Sequence, residues 1–158
     1  MAVALRDIAD RARPVALAGE RLLPVLRALE ELLPDRGLRR GSTIAVGGGP
    51  AATSLALALV TGPSAAGSWC AAVGAPTLGL VAAAELGIAL ERFPLVASPP
   101  PAEWPTVVAA LLDAFDVVLA WAPPHLRAVA GRRLVARARE RGSVLVVCGV
   151  RKIGRAHV

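Results

Sequence analysis

Between residues 41 and 84 the chain carries no charged side chain, and its apolar positions are cut at short intervals by glycine and proline. Residues 42–46, 69–73, 93–97, 116–121 and 143–148 are near-continuous apolar runs of strand length. Residues 50–60, 77–90, 102–114 and 125–141 lie between them and have the length of helices. Buried strands that alternate with helices predict a parallel sheet covered on both faces, because each crossover lays a helix on the sheet. Ahead of this pattern, Val3, Leu5, Ile8, Ala9 and Ala12 fall at helical spacing over residues 2–13, and Pro14 closes that segment. A second helix is expected over 24–33, opened by Pro24 and stopped by Pro34-Asp35-Arg36-Gly37. The reading is an α/β protein with a helical lead-in over 1–36 and a core over 37–150, without repeat or low-complexity linker.

Composition sharpens this picture. The 158 residues are 55% hydrophobic but include only three Trp, two Phe and no Tyr, so alanine, leucine and valine must build the core. Length alone gives no reason to divide such a chain into two domains. The uncharged stretch is too broken for a membrane span, which needs about 20 continuous apolar residues: Gly47-Gly48-Gly49-Pro50, Gly62-Pro63, Gly67, Gly74 and Gly79 interrupt it. Arg6, Asp7, Asp10, Arg11 and Arg13 leave residues 1–13 without the apolar centre of a secretory signal. A cytoplasmic protein without membrane association is expected. Cys70 and Cys148 each sit alone in an apolar run and are expected to be buried, reduced thiols. His125 and His157 have no neighbour at ligand spacing, so no metal site is expected.

The net charge of +6 comes from 17 Arg and a single Lys against 12 acids. That lysine, Lys152, belongs to a closing run unlike the rest of the chain. Ile153-Gly154-Arg155-Ala156-His157-Val158 is what one reading frame of a common sequencing-library adapter encodes. Residues 151–158 are therefore expected to be a non-native tail, with the native protein continuing past about Val150. Without Arg151, Lys152 and Arg155 the balance is 15 basic to 12 acidic residues, and the charge argument for nucleic acid nearly vanishes.

Ligands of an open parallel sheet bind at the carboxyl ends of its strands. The loop after the first strand is Gly47-Gly48-Gly49-Pro50-Ala51-Ala52-Thr53-Ser54. A glycine run that opens a helix offers backbone N–H groups beside the positive end of the helix dipole, the arrangement that cradles phosphate. Thr53 and Ser54 supply the hydroxyls a phosphate loop uses for Mg²⁺, but Ala52 stands where its lysine belongs, and the loop is about two residues short of the usual spacing. The same glycines match the dinucleotide pattern GxGxxA, yet the second strand ends Val73-Gly74-Ala75-Pro76 with no acid for a ribose. The strand over 116–121 ends in Trp121 where an ATPase would place its Mg²⁺-holding Asp, and Asp116 opens that strand, a turn or cap position. No Ser–His–Asp set or nucleophile elbow is visible, so no catalytic residues are assigned. In the basic helix over 125–141, Arg133, Arg137 and Arg141 fall on one side and Arg132 and Arg139 on another. A solvated outer helix and a contact for DNA phosphates or an acidic partner are both compatible with it.

The run 32–46 with its glycine loop resembles the entry to the core of RecA-type ATPases, in which a helix leads through a G-L-x-x-G turn into the strand before the phosphate loop. Residues 29–90, with 116–119 and 132–147, resemble more specifically the actinobacterial ImuA-like (ImuA′) proteins, RecA-related accessory factors of damage-induced mutagenesis. The resemblance implies a RecA-like P-loop NTPase-type fold and a place in error-prone translesion synthesis, beside an ImuB-like polymerase-related adaptor and a DnaE-type polymerase. It also implies a C-terminal extension. Carried over by position, the phosphate-loop lysine falls on Ala52, the Mg²⁺ aspartate on Trp121 and the catalytic glutamate near Pro76. The expectation is a non-catalytic SOS accessory protein without cofactor, in which Gly47, Gly48, Gly49, Thr53 and Ser54 form a vestigial phosphate loop. The alternatives are a nucleotide-binding P-loop ATPase with an atypical loop and a Rossmann-type dinucleotide-binding oxidoreductase.

Overall fold

The computed structural model describes residues 21–75 and 77–150. The helix expected over 2–13 and the tail over 151–158 lie outside the described residues. A short antiparallel ribbon comes first, β1 (Leu22–Leu23) paired with β2 (Leu38–Arg39), and between them lies a single helical turn, α1 (Arg27–Glu30). Then follow β3 (Thr43–Gly47), α2 (Ala52–Ala65), β4 (Cys70–Val73), α3 (Leu80–Leu86), β5 (Leu95–Val96), α4 (Trp104–Ala114), β6 (Val117–Trp121), α5 (Ala128–Arg141) and β7 (Val144–Val150). A 3-10 turn over Leu90–Arg92 precedes β5.

The five strands of the main sheet are all parallel and lie in the order β3-β7-β6-β4-β5. The α/β class and the flanked parallel sheet of RecA-like type are thus as the sequence predicts. Near-continuous burial follows from this topology: every residue of β4, and all of β6 except half-buried Trp121, is buried. On one face α2 and α3 cover the sheet, joined by Leu23, Leu29 and Leu38 of the ribbon segment, all packed into one core with Val46, Leu57, Val60 and Val146. On the other face α4 and α5 enclose a second core of Trp104, Val108, Leu112, Leu134 and Ala138 against Val73, Val118, Ala120 and Leu145. Alanine at Ala56, Ala71, Ala72 and Ala83 is fully or almost fully buried, which lets the layers approach closely where no aromatic ring could fit.

Element boundaries differ from the sequence expectation where local backbone chemistry intervenes. The second expected helix over 24–33 contracts to Arg27–Glu30, because the flanking Leu22–Leu23 and Leu38–Arg39 pair as a ribbon too short for any period to reveal. The helix expected over 50–60 instead runs from Ala52 through Gly62-Pro63 to Ala65. Burial of Thr61, Pro63 and Ser64 keeps that last turn in place against its poor propensities. The helix expected over 77–90 is held to Leu80–Leu86 by Gly87, whose φ of 100° is a left-handed stop. Proline at position 105, just inside the first turn, fixes the start of α4 at Trp104. Among the described residues no helix is long and apolar enough to cross a membrane.

Asp116 ties the amino edge of the sheet together. One carboxylate oxygen accepts from the Trp69 backbone N–H at 2.9 Å and the other from the Arg40 guanidinium at 2.9 Å. Asp116 thus joins the entries to β3, β4 and β6.

Candidate functional site

The carboxyl edge of the sheet gathers the ends of β3, β4, β6 and β7. Gly47, Gly48 and Gly49 are exposed, and a side chain built on any of them would meet nothing within 4 Å. Gly49 has a φ of 150°, and its carbonyl accepts from Ala52 N–H at 3.1 Å to start the 14-residue helix α2. No side chain caps that helix, so the first-turn N–H groups after Ala52 are left without a side-chain acceptor and make an anion-attracting end. Thr53 is half-buried and Ser54 exposed beside them. The loop thus has the donors of a phosphate cradle. It has no cation, since Ala52 sits at the first position of the helix.

Trp121 closes the neighbouring part of the edge. Its carbonyl accepts from the buried Trp104 indole N–H at 2.9 Å. Its ring stands beside Gly149, where an added Cβ would lie 3.9 Å from Cδ1. Gly74 and Gly149 take φ values of 75° and 76°, letting the chain turn just after β4 and bulge within β7 at the crest. A Cβ at Gly74 would come within 3.2 Å of the Trp121 carbonyl oxygen. These turns frame a cavity of about 440 Å³ lined by Gly74, Ser98, Pro99, Pro101, Trp104, Trp121, Ala122, Pro123, Pro124, Cys148 and Gly149. The lining holds no charged side chain, and its one titratable group is the Cys148 thiol, so it offers shape and apolar contact. Pro76, the position matched to a catalytic glutamate, lies outside the described residues. Among the described residues no group of three metal-binding side chains occurs.

Cys70 and Cys148 are buried and unpaired, as expected. Burial pushes both thiols up to about 12, with the Asp116 charge adding to the effect at Cys70. They are packing residues of β4 and β7, on the face that α2 and α3 cover.

The basic helix divides in two. Arg137 grips Asp113 of α4 through Nε and Nη2, both at 2.6 Å, and Arg141 Nε reaches the same carboxylate at 3.0 Å. The hydrogen bond from Arg137, followed by the charges of Arg137 and Arg141, lowers the Asp113 pKa against the opposing effect of burial. Two of the five arginines proposed for an acidic partner are therefore engaged within the fold. Arg133 lines an open furrow of about 610 Å³ between α4 and α5 with Pro105, Thr106, Ala109, Ala130 and Glu140. Arg132 and Arg139 make no ion pair among the described residues. Sequence spacing separates the two arginine rows correctly, but nothing in it indicates that Asp113 claims two members of one row.

Residues 31–152 match the family model described as the MT3502 N-terminal domain. The chain belongs to the MT3502 N-terminal domain family. One curated relative of this MT3502 domain is the uncharacterized protein Rv3395c of Mycobacterium tuberculosis, 42% identical over 98 residues. The match takes in 61% of this chain and 47% of the relative, so the chain spans about half the length of the curated relative it matches. Among solved structures, SulA from Pseudomonas aeruginosa superposes with a TM-score of 0.52 at 20% identity, over 68% of this chain and 96% of that one. At that identity the likeness concerns the fold of the MT3502 domain alone.

Proposed function

We propose that this MT3502 N-terminal domain is a non-catalytic, RecA-like accessory protein of the DNA-damage response. In this reading it serves as an ImuA-like adaptor in error-prone translesion synthesis, acting in the cytoplasm without a resident cofactor. The observation that carries the reading is the chemistry of the carboxyl edge. By the RecA-type resemblance, Ala52 and Trp121 fall at the two positions that would neutralise a nucleotide's phosphates and hold its metal. The cavity beside them is lined without a titratable group other than the buried Cys148 thiol. A sheet edge with donors but no charge team supports recognition over turnover. The partners in this reading are an ImuB-like polymerase-related adaptor and a DnaE-type polymerase.

Capture of the chain, and of a longer family protein containing it, by an ImuB-like adaptor tests the proposal. Retention of the longer protein at micromolar concentration is the expected result, and failure of both to bind removes the adaptor role. A second reading, nucleotide binding without hydrolysis, is favoured by the empty space around Gly47, Gly48 and Gly49. Calorimetric titration with Mg-ATP separates the two. No heat is expected for the adaptor, whereas heat abolished by Thr53→Ala would establish the nucleotide site.

A further inference from the structure

The two edges of the main sheet are built differently. β5 is two residues long, follows Pro94 and precedes Pro99-Pro100-Pro101, so it gives an incoming strand little to pair with. β3 is five residues long, and no charge or proline interrupts residues 42–49. Ser42 accepts through its carbonyl from Leu145 N–H of β7 at 3.1 Å. In a parallel ladder peptide groups alternate sides, so those of Thr43 and Ala45 point away from β7 to an edge that no strand pairs with among the described residues.

Among the described residues no helix covers the sheet face beside this edge either. Thr43 and Ala45 pair in register with Leu145 and Val147 and share their face, the one that α4 and α5 cover. That cover stops short. Ala45 is exposed and Val147 only half-buried, although parallel sheets bury both faces. The margin of the gap is the side of α5 that passes Gly41, where an added Cβ would lie 3.3 Å from the Arg139 Cα. Arg132, Val135 and Arg139 fall on that side, and Val135 is 38% exposed.

Connection geometry indicates what fits. The chain goes outward from β3 to β4 and β5 over the α2 and α3 face, then returns to β6 and β7 over the α4 and α5 face. One hand of crossover produces both halves of that path. A further strand beyond β3, reached from β7 with the same hand, continues the return and carries its helix over the α4 and α5 face. That is where Ala45 and Val147 are bare.

We infer that the open edge of β3 and the bare face around Ala45 are the docking site for a helix-strand segment from the part of longer MT3502 proteins that follows this domain. The matched domain is described as N-terminal and the matched portion is 47% of Rv3395c, so that protein has chain to supply it. The strand adds parallel to β3. Its helix sets small apolar residues on Ala45 and Val147 and carboxylates opposite Arg132 and Arg139, which gives the second arginine row its partner. A second copy of the chain pairing edge to edge would extend the sheet but would add no layer over Ala45.

Amide hydrogen exchange on this chain and on full-length Rv3395c tests the inference, together with a structure of the latter. In this chain Ile44 and Val46 exchange slowly while Thr43 and Ala45 exchange at least about 100-fold faster. In Rv3395c the strand in the place of β3 is protected at every amide, and its outer neighbour is a strand of the same molecule, parallel to it and preceded by a helix on the α4 and α5 face. An open edge in Rv3395c overturns the inference, as does an edge paired by a second copy. A variant supplies the independent check. Ala45→Glu leaves the melting temperature of this chain unchanged, while glutamate at the corresponding position of Rv3395c lowers it. Equal effects in the two proteins would also overturn the inference.

Discussion

Gly62 lies within α2, where alanine is intrinsically favoured by about 1 kcal/mol. Its surroundings reverse that preference. A Cβ at this position would collide with the Pro24 carbonyl oxygen and lie 2.6 Å from the Val25 Cα and 2.9 Å from the Pro24 carbonyl carbon. All three are backbone atoms, which cannot rotate aside. Spreading α2 from the lead-in costs about 1–3 kcal/mol, as for other overpacked contacts, and rigid backbone neighbours put this case near the top of the range. Full release of the lead-in would cost more, since Leu23 and Leu29 are 4% and 9% exposed and each buried leucine contributes about 1.5–3 kcal/mol. The chain takes the cheaper route, so Gly62→Ala should destabilise by about 1–2 kcal/mol once its helix preference is subtracted. Urea unfolding monitored by circular dichroism measures this. Gly131→Ala in α5 is the control, because a Cβ there meets nothing within 4 Å, and it should stabilise by about 0.5–1 kcal/mol. Equal stabilisation by both substitutions would refute the close docking of residues 24–25 on α2.

Trp104→Phe removes the donor to the Trp121 carbonyl and should cost about 1–3 kcal/mol in urea unfolding, so a loss below experimental error would remove that bond's structural importance. Cys70 and Cys148, with thiols pushed up to about 12, should resist a thiol-specific reagent at pH 8 in the native state and react fully in denaturant. Because folding raises both pKa values from 9.0 to about 12, their contribution to stability is present below pH 9 and is lost as pH rises from there towards 12. Asp113 titrates in the opposite sense: its folded pKa is lowered, chiefly by the Arg137 hydrogen bond, so its contribution is present above the ordinary carboxylate range and lost as pH falls through the folded value. Asp113→Asn should therefore flatten the acid limb of a stability-versus-pH curve, and an unchanged limb would show the pair to be unimportant.

The sheet was legible because its strands are continuous apolar runs: 70–73 and 117–120 have no polar residue to confuse period or length. The order of the strands was not, because placing β3 at an edge depends on which neighbour each run finds, and all five are alike in composition. The ribbon of the lead-in is hidden from the sequence for a related reason. Leu22–Leu23 and Leu38–Arg39 are too short to show alternation, and their pairing is fixed by packing on Val46 and Leu57. At the carboxyl edge, the missing lysine at Ala52 was plain from the sequence alone. The cavity framed by Gly74, Trp121 and Gly149 was not, since it joins turns far apart in the chain. The arginine rows of α5 follow from helical spacing, whereas the capture of Arg137 and Arg141 by Asp113 requires α4 to lie alongside.

The scarcity of aromatic residues leaves three tryptophans, and the fold distributes them as separate optical reporters. Trp69 is 50% exposed at the amino edge beside Phe115, Trp104 is 1% exposed in the first turn of α4, and Trp121 stands at the carboxyl crest. Their emission should accordingly separate by wavelength and by accessibility to a dissolved quencher. Single-tryptophan versions of the chain would then follow events at either end of the sheet, or within the layer between, without an attached label.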